Sequence, residues 1–407
     1  MPKVLLATVS ILIPILVVDF TAYHILDIKM VGSKPERFFQ FSPLLGWDLI
    51  PNSSGNWYRY EDGTKYFVEM NGHGFPDTDR KLEKSRPRIA LVGDSVTQFW
   101  EAELPDRGQF VIEEFLDHRY EVLNFGVRGF GTDQVLILFE NHVARFSPDI
   151  IIYTFCINDI WDNSNSKFKP YFEIDPESPG GLALTGYPIE FRDTRDWLDT
   201  NLRDYSIMFR KYKDFEKQFN NFFGSLFGGQ NEPVSPHAPL EDHFMIRPYK
   251  LNYDQEDRRR EEITLKLLAK LNQAVKDRGM KLLVVEGVYR FAHEEAGRRE
   301  IERIYEDQFD FDRVTNSFRD FTEENGIAFL SLPQLVQDNG IPFSDLMHPE
   351  DDMHFNKDGI LFYSQAVVDK LRSLKWVEGP TGPKAQLGDS GEEENQANRW
   401  VEAITGQ

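Results

Sequence analysis

From Arg88 onward, short apolar runs alternate with longer stretches in which apolar residues recur every three or four positions. An apolar run of five or six residues reads as a buried strand, and the three-and-four spacing as one face of a helix. The strand candidates are 88–92 (RIALV), 121–125 (EVLNF), 150–155 (IIIYTF), 281–286 (KLLVVE) and 327–331 (IAFLS). Helices are predicted near 107–118, 132–146, 257–278, 311–324 and 357–374. Thr132 is placed to cap the second of these, Pro148 follows it, and Gly279 and Gly326 each stop a later one. Such alternation builds a parallel sheet with helical crossovers, so the chain is predicted to be α/β.

Outside this pattern the chain reads differently. Residues 31–86 form a small lead-in, where WYRYEDGTKYFVEM predicts a hairpin around Asp62-Gly63 and NGHGFPD supplies turn residues. The alternation breaks over 161–256, a long insertion expected to be largely helical. Its helix candidate, Asn201 to Phe227, carries an apolar stripe through Leu202, Tyr205, Phe209, Tyr212 and Phe215. That stripe packs on the core or forms a lid whose aromatic face meets substrate. Residues 377–407 are polar and acidic and are expected to be disordered.

At the other end, Lys3 precedes an unbroken apolar run from Val4 to Val18. A helix of that length reaches roughly 22 Å, against a hydrocarbon core of ~30 Å. Residues 1–30 are therefore expected to be an N-terminal membrane anchor with the rest of the chain outside the cytoplasm, at the cell surface or in a periplasm. The alternative is a signal segment cleaved on secretion, but no small-x-small cleavage site follows the run.

Composition narrows the partners. The 407 residues carry a net charge of −21, which repels phosphate backbones and argues against nucleic acid. Cys156 is the one cysteine, so there is no intrachain disulfide and no cysteine-built zinc site.

Four blocks carry candidate chemistry, each after a predicted strand. In RIALVGDSVTQFW, Gly93 permits a tight turn where the strand ends, and Ser95 opens the next helix with its N–H free to donate. The alternative there is a simple N-capping turn. In VLNFGVRGFGTDQ, three glycines (Gly126, Gly129, Gly131) let main chain approach a substrate. In IIIYTFCINDI, the Asn158 amide leaves a buried strand where it can donate to a developing oxyanion. In PEDDMHFNKDG, His354 can take a proton from the serine if Asp351 or Asp352 holds its other nitrogen. The N-cap of the following helix is Asn356 or Asp358. Asp94 and Asp159, beside the serine and the asparagine, are candidate substrate contacts. Acidic residues with two histidines also suit a metal, but no further His or Cys cluster supports one.

A second Gly-Asp-Ser at 388–390 follows no strand. The first copy, with the other three blocks in order, resembles the SGNH (GDSL-type) hydrolase superfamily over about 88–160 and 281–374. The resemblance implies a flavodoxin-like three-layer sandwich with a five-stranded parallel sheet, spanning 87–376. It makes Ser95 the nucleophile, and Ser95 N–H, Gly129 N–H and the Asn158 amide the oxyanion donors. Gly129 is preferred to Gly126 because it lies five residues after Asn124. Asp351 is preferred to Asp352 by the Asp-x-x-His spacing to His354. Two departures stand out: Val96 replaces leucine, and Cys156 occupies a place usually held by glycine.

The expected activity is serine-dependent hydrolysis of esters through an acyl-enzyme, with no cofactor or metal. The expected substrate is an acylated small molecule or polysaccharide, such as O-acetyl groups on cell-envelope carbohydrate. Alternatives are O-acyl transfer to a polysaccharide, a lipase or thioesterase, and a non-catalytic anchored carbohydrate-binding scaffold.

Overall fold

The computed structural model describes residues 38–59, 64–164, 169–189, 243–305, 307–348 and 353–379. These belong to one compact unit drawn from Phe38–Ile189 and Pro239–Gln407. The expected anchor (1–30), the helix candidate 201–227 and the acidic tail beyond 379 lie outside the described residues.

Two antiparallel hairpins precede the main sheet. The first pairs β1 (Phe39–Ser42) with β2 (Gly46–Leu49), and the second pairs β3 (Ser54–Tyr58) with β4 (Lys65–Glu69). The second is the hairpin the sequence predicts, though its turn at 60–63 is outside the described residues. This lead-in is part of the core: Phe38, Leu45, Leu49, Val68, Met70 and Phe75 are buried in the same cluster as the sheet.

The sheet begins with β5 (Arg88–Gly93), β6 (Glu121–Gly126) and β7 (Ile150–Phe155). Within the insertion, β8 (Tyr171–Ile174) and β9 (Leu182–Thr185) form a third hairpin. The sheet is completed by β10 (Lys281–Glu286) and β11 (Ala328–Ser331). All its pairings are parallel, in the order β11-β10-β7-β5-β6. This is the flavodoxin-like arrangement.

Alternate side chains of each central strand feed opposite layers. Ala90, Val92, Ile151 and Tyr153 enter one cluster, with helices Thr132–Asn141, Gln255–Lys276 and Arg313–Glu324. Ile89, Leu91, Ile150 and Ile152 enter the other, with helices Gly108–Phe115 and Lys357–Ser373. Strands buried on both faces must be apolar throughout, which is why they stand out in the sequence. Each fully buried aliphatic contributes about 1.5–3 kcal/mol.

Helix starts follow local chemistry. The Asn356 side chain accepts the Gly359 N–H at 2.9 Å, so Asn356 and not Asp358 is the cap. The expected cap at Thr132 is corrected. Gly131 precedes the first turn, and the Gln134 side chain accepts its N–H at 3.3 Å. The Thr132 hydroxyl is instead bonded to Tyr153 and Asn163, at 2.8 and 3.0 Å.

Candidate active site

The chain runs from β5 to β6 on one side, then crosses back to β7 on the other side of β5. The connections diverge there, at the carboxyl ends of the strands, the usual ligand position in such sheets. Gly93, which ends β5, is in register with Gly126 on β6 and Thr154 on β7. The first three sequence blocks therefore leave the sheet side by side.

Ser95 is the first residue of a one-turn helix, Ser95–Gln98. Gly93 makes the turn possible. Its φ is +154°, and a Cβ there would lie 2.9 Å from the Thr154 carbonyl and 2.3 Å from the Thr97 hydroxyl. Asp94 then caps the turn, its carboxylate accepting the Val96 N–H at 2.9 Å. The Ser95 N–H is at a position with no intrahelical acceptor.

His354 comes from the opposite end of the chain. Its loop is closed by an antiparallel bridge between Met347 and Phe355. The Asn356 side chain ties the loop by donating to the carbonyls of Asp345 and Met347, at 2.9 and 3.0 Å. The result places His354 Nε2 2.9 Å from Ser95 Oγ. Asp351 and its rival Asp352, on the same loop, lie outside the described residues.

Gly129 is in the left-handed region at φ +78°, in the loop after β6, with the Trp47 ring 3.4 Å from where a Cβ would sit. Asn158 follows β7 and is nearly buried. Its Nδ2 donates to Asp162 at 3.0 Å, which leaves a second N–H on the same amide.

Asp94 and Asp159, the candidate substrate contacts, both turn their side chains into the protein. Asp94 caps the serine helix and meets the Cys156 thiol at 3.4 Å. Asp159 accepts a hydrogen bond from the Tyr153 hydroxyl. Burial pushes Asp94 above the usual carboxylate range and Asp159 well above it. Burial also raises the Cys156 thiol, with the Asp94 and Asp159 charges adding to the effect. Cys156 fits where glycine was expected because the sulfur lies in the core layer beneath the serine turn.

Sequence reasoning missed a set of residues around the Ser95–His354 pair. Glu101 is buried, with Oε1 3.9 Å from His354 Nε2. Arg128 pairs with the same oxygen at 2.6 Å, and its guanidinium lies 4.9 Å from the centre of the Trp57 ring. Trp57 stacks beside Tyr66 across the second hairpin, and Tyr66 meets His348 edge-on. Trp47, on β2, donates to the Arg128 carbonyl at 3.0 Å. Both hairpins thus support the loop that carries Gly129. The one available signal was the position of Arg128 directly before that glycine.

Among the described residues, no group of three or more His, Cys, Asp or Glu could hold a metal ion. No described helix is long and apolar enough to cross a membrane.

No family model and no curated protein matches the chain. Similar solved structures are SGNH/GDSL-like lipases and acetyl xylan esterases. A lipase/acylhydrolase from Enterococcus faecalis is 10% identical, with 71% of this chain and 96% of that one covered and a TM-score of 0.37. An acetyl xylan esterase is 14% identical over 70% and 98% of the two chains, at a TM-score of 0.36. A GDSL-like lipase from Bacteroides thetaiotaomicron is 11% identical over 71% and 89%, at 0.35. At such identities and scores the likeness concerns the fold and adds nothing to the chemistry of the site.

Proposed function

We propose that the protein hydrolyses carboxylic esters through a serine acyl-enzyme. The observation that carries this reading is the 2.9 Å approach of Ser95 Oγ to His354 Nε2, at the strand ends where the sheet's connections diverge. His354 takes the Ser95 proton as Oγ attacks the ester carbonyl. The carbonyl oxygen becomes an oxyanion, held by the N–H groups of Ser95 and Gly129 and by the Asn158 amide. His354 passes the proton to the leaving alcohol, and an ester to Ser95 remains. Water, deprotonated by His354, then attacks this ester, and its collapse returns the proton to Ser95 and releases the acid. Asp351 is the residue we assign to hold the imidazole's other nitrogen.

Beside the pair is Glu101, with Arg128 and His348 bonded to it and Tyr66 against His348. They are polar or polar-tipped, which suits a hydroxylated alcohol better than a hydrocarbon chain. We assign a small acyl group, such as O-acetyl, on a carbohydrate. The apolar run Val4–Val18 favours a domain tethered outside the cytoplasmic membrane. Acetate release from acetylated polysaccharides, with Ser95→Ala as control, tests the reading. The variant is expected to lose turnover by about 10⁶-fold and all labelling by a fluorophosphonate. Unchanged labelling of the variant would remove Ser95 from the mechanism.

A further inference from the structure

We propose that the Glu101–Arg128 ion pair is a positioning element that sets the proton affinity of His354. This rests on reading His354 as the base.

Glu101 Oε1 lies 3.9 Å from His354 Nε2, the nitrogen that also faces Ser95 Oγ. The Glu101 side chain is 3% exposed, so water screens it poorly. An anion there stabilises the imidazolium that forms when Ser95 gives up its proton. Left alone, the same anion would draw a protonated imidazole away from the serine. Arg128 counters that pull by bonding the same oxygen at 2.6 Å. Arg128 is itself held by stacking on Trp57, from the second hairpin. The Glu101 carbonyl is engaged as well, by His348 Nε2 at 3.1 Å, so the turn carrying Glu101 is fixed to the histidine loop.

Other charged or titratable groups also bear on His354, first among them Asp351, which we assign to its other nitrogen and which both substitutions leave in place. Asp94 beside the serine interacts with it electrostatically, and Cys156 meets Asp94 from β7's loop. His348 lies on its own loop, and its N–H donates to the His354 carbonyl at 3.3 Å. Lys357 and Asp358 open the following helix, where Lys357 pairs with Asp106 at 3.2 Å. Of these, Asp94 also feels the Arg128 charge, which lowers its pKa, so Arg128→Gln acts on His354 through Asp94 as well as directly, whereas Glu101→Gln acts through the pair.

The signs are opposite. Glu101→Gln removes the nearby anion and leaves the Arg128 cation, so His354 binds its proton less tightly. Arg128→Gln leaves the anion uncompensated, so His354 binds its proton more tightly. A poorly screened unit charge at about 4 Å shifts a pKa by roughly one to three units. In the double variant the two changes largely cancel.

The test is an NMR titration of ¹⁵N-histidine-labelled full-length protein, with the His354 signal assigned by its loss in His354→Gln. The expected result is a midpoint moved down in Glu101→Gln, up in Arg128→Gln, and back toward wild type in the double variant. The acid limb of the kcat/KM profile for p-nitrophenyl acetate should move in the same directions. Midpoints that coincide with wild type in both single variants, or move the same way, overturn the proposal. If buried Glu101→Gln does not fold, Arg128→Gln carries the test alone. Its side chain is 31% exposed, and an unmoved midpoint there is equally fatal. Wild-type protein without Ser95-dependent hydrolysis would instead count against the esterase reading, while the titration would still decide this one.

Discussion

Gly126 and Gln98 meet backbone to backbone at the base of the candidate active site: a Cβ on Gly126 would lie 2.6 Å from the Gln98 nitrogen. Gln98 ends the helical turn that begins with Ser95, and the Asn124 side chain braces the same turn by donating to the Thr97 carbonyl at 2.8 Å. Gly126→Ala must push this turn away from the sheet. It is expected to destabilise the protein by about 1–3 kcal/mol and to lower kcat by moving Oγ away from His354. Chemical denaturation and ester turnover, measured together, check it. Wild-type kcat in a destabilised variant would show that the turn tolerates the shift.

Asn158→Ala removes one proposed oxyanion donor and its bond to Asp162. The donor acts on charge present only in the transition state. kcat is therefore expected to fall about 10²–10³-fold, with KM changed much less. A rise in KM at constant kcat would mean that the amide binds ground-state substrate instead.

Glu286, at the end of β10, links acidity to stability. Burial raises its pKa to about 7, against hydrogen bonds from Ser331 and Thr315 that lower it. A folded pKa above the unfolded one, about 4.5, means that the unfolded chain ionises first as pH rises. This group's contribution to stability is therefore full below about 4.5 and is lost progressively up to about 7. The loss is on the order of 3 kcal/mol. Glu286→Gln should flatten the stability profile in that window, as read from urea midpoints at pH 5 and pH 8. A profile as steep as wild type would assign the slope to other groups.

Lys169 donates to both carboxylate oxygens of Asp133 at 2.7 Å, with both side chains buried. Lys169→Met leaves Asp133 without its cation and should cost about 3–5 kcal/mol near neutral pH. Burial already raises the Asp133 pKa, against the lowering effect of Lys169, so the variant can relieve itself by protonation. The deficit should shrink at pH 5 relative to pH 8, as thermal melts of both proteins would show. An equal deficit at both values would mean that Asp133 stays ionised.

The sheet was legible because β5, β7 and β10 are covered on both faces, so their composition leaves few alternatives to a buried strand. Ser95 and His354 were legible because strand-end turns and a pre-helical loop announce themselves through glycine, aspartate and asparagine. Three things were not. The inward turn of Asp94 and Asp159 depends on how deeply the strand ends are covered. The cap at Gly131 depends on tertiary partners that draw Thr132 away. Glu101 and Arg128, 27 residues apart, become a pair only when β5 and β6 lie side by side.

The hairpins ahead of the sheet change where the compact unit begins. Trp47 and Trp57 buttress Arg128 from segments that precede β5 by some thirty to forty residues. A shortened protein beginning at the first strand of the sheet would keep Ser95 and His354 and discard the scaffolding around them. Expression trials aimed at this unit alone should therefore start no later than Phe38.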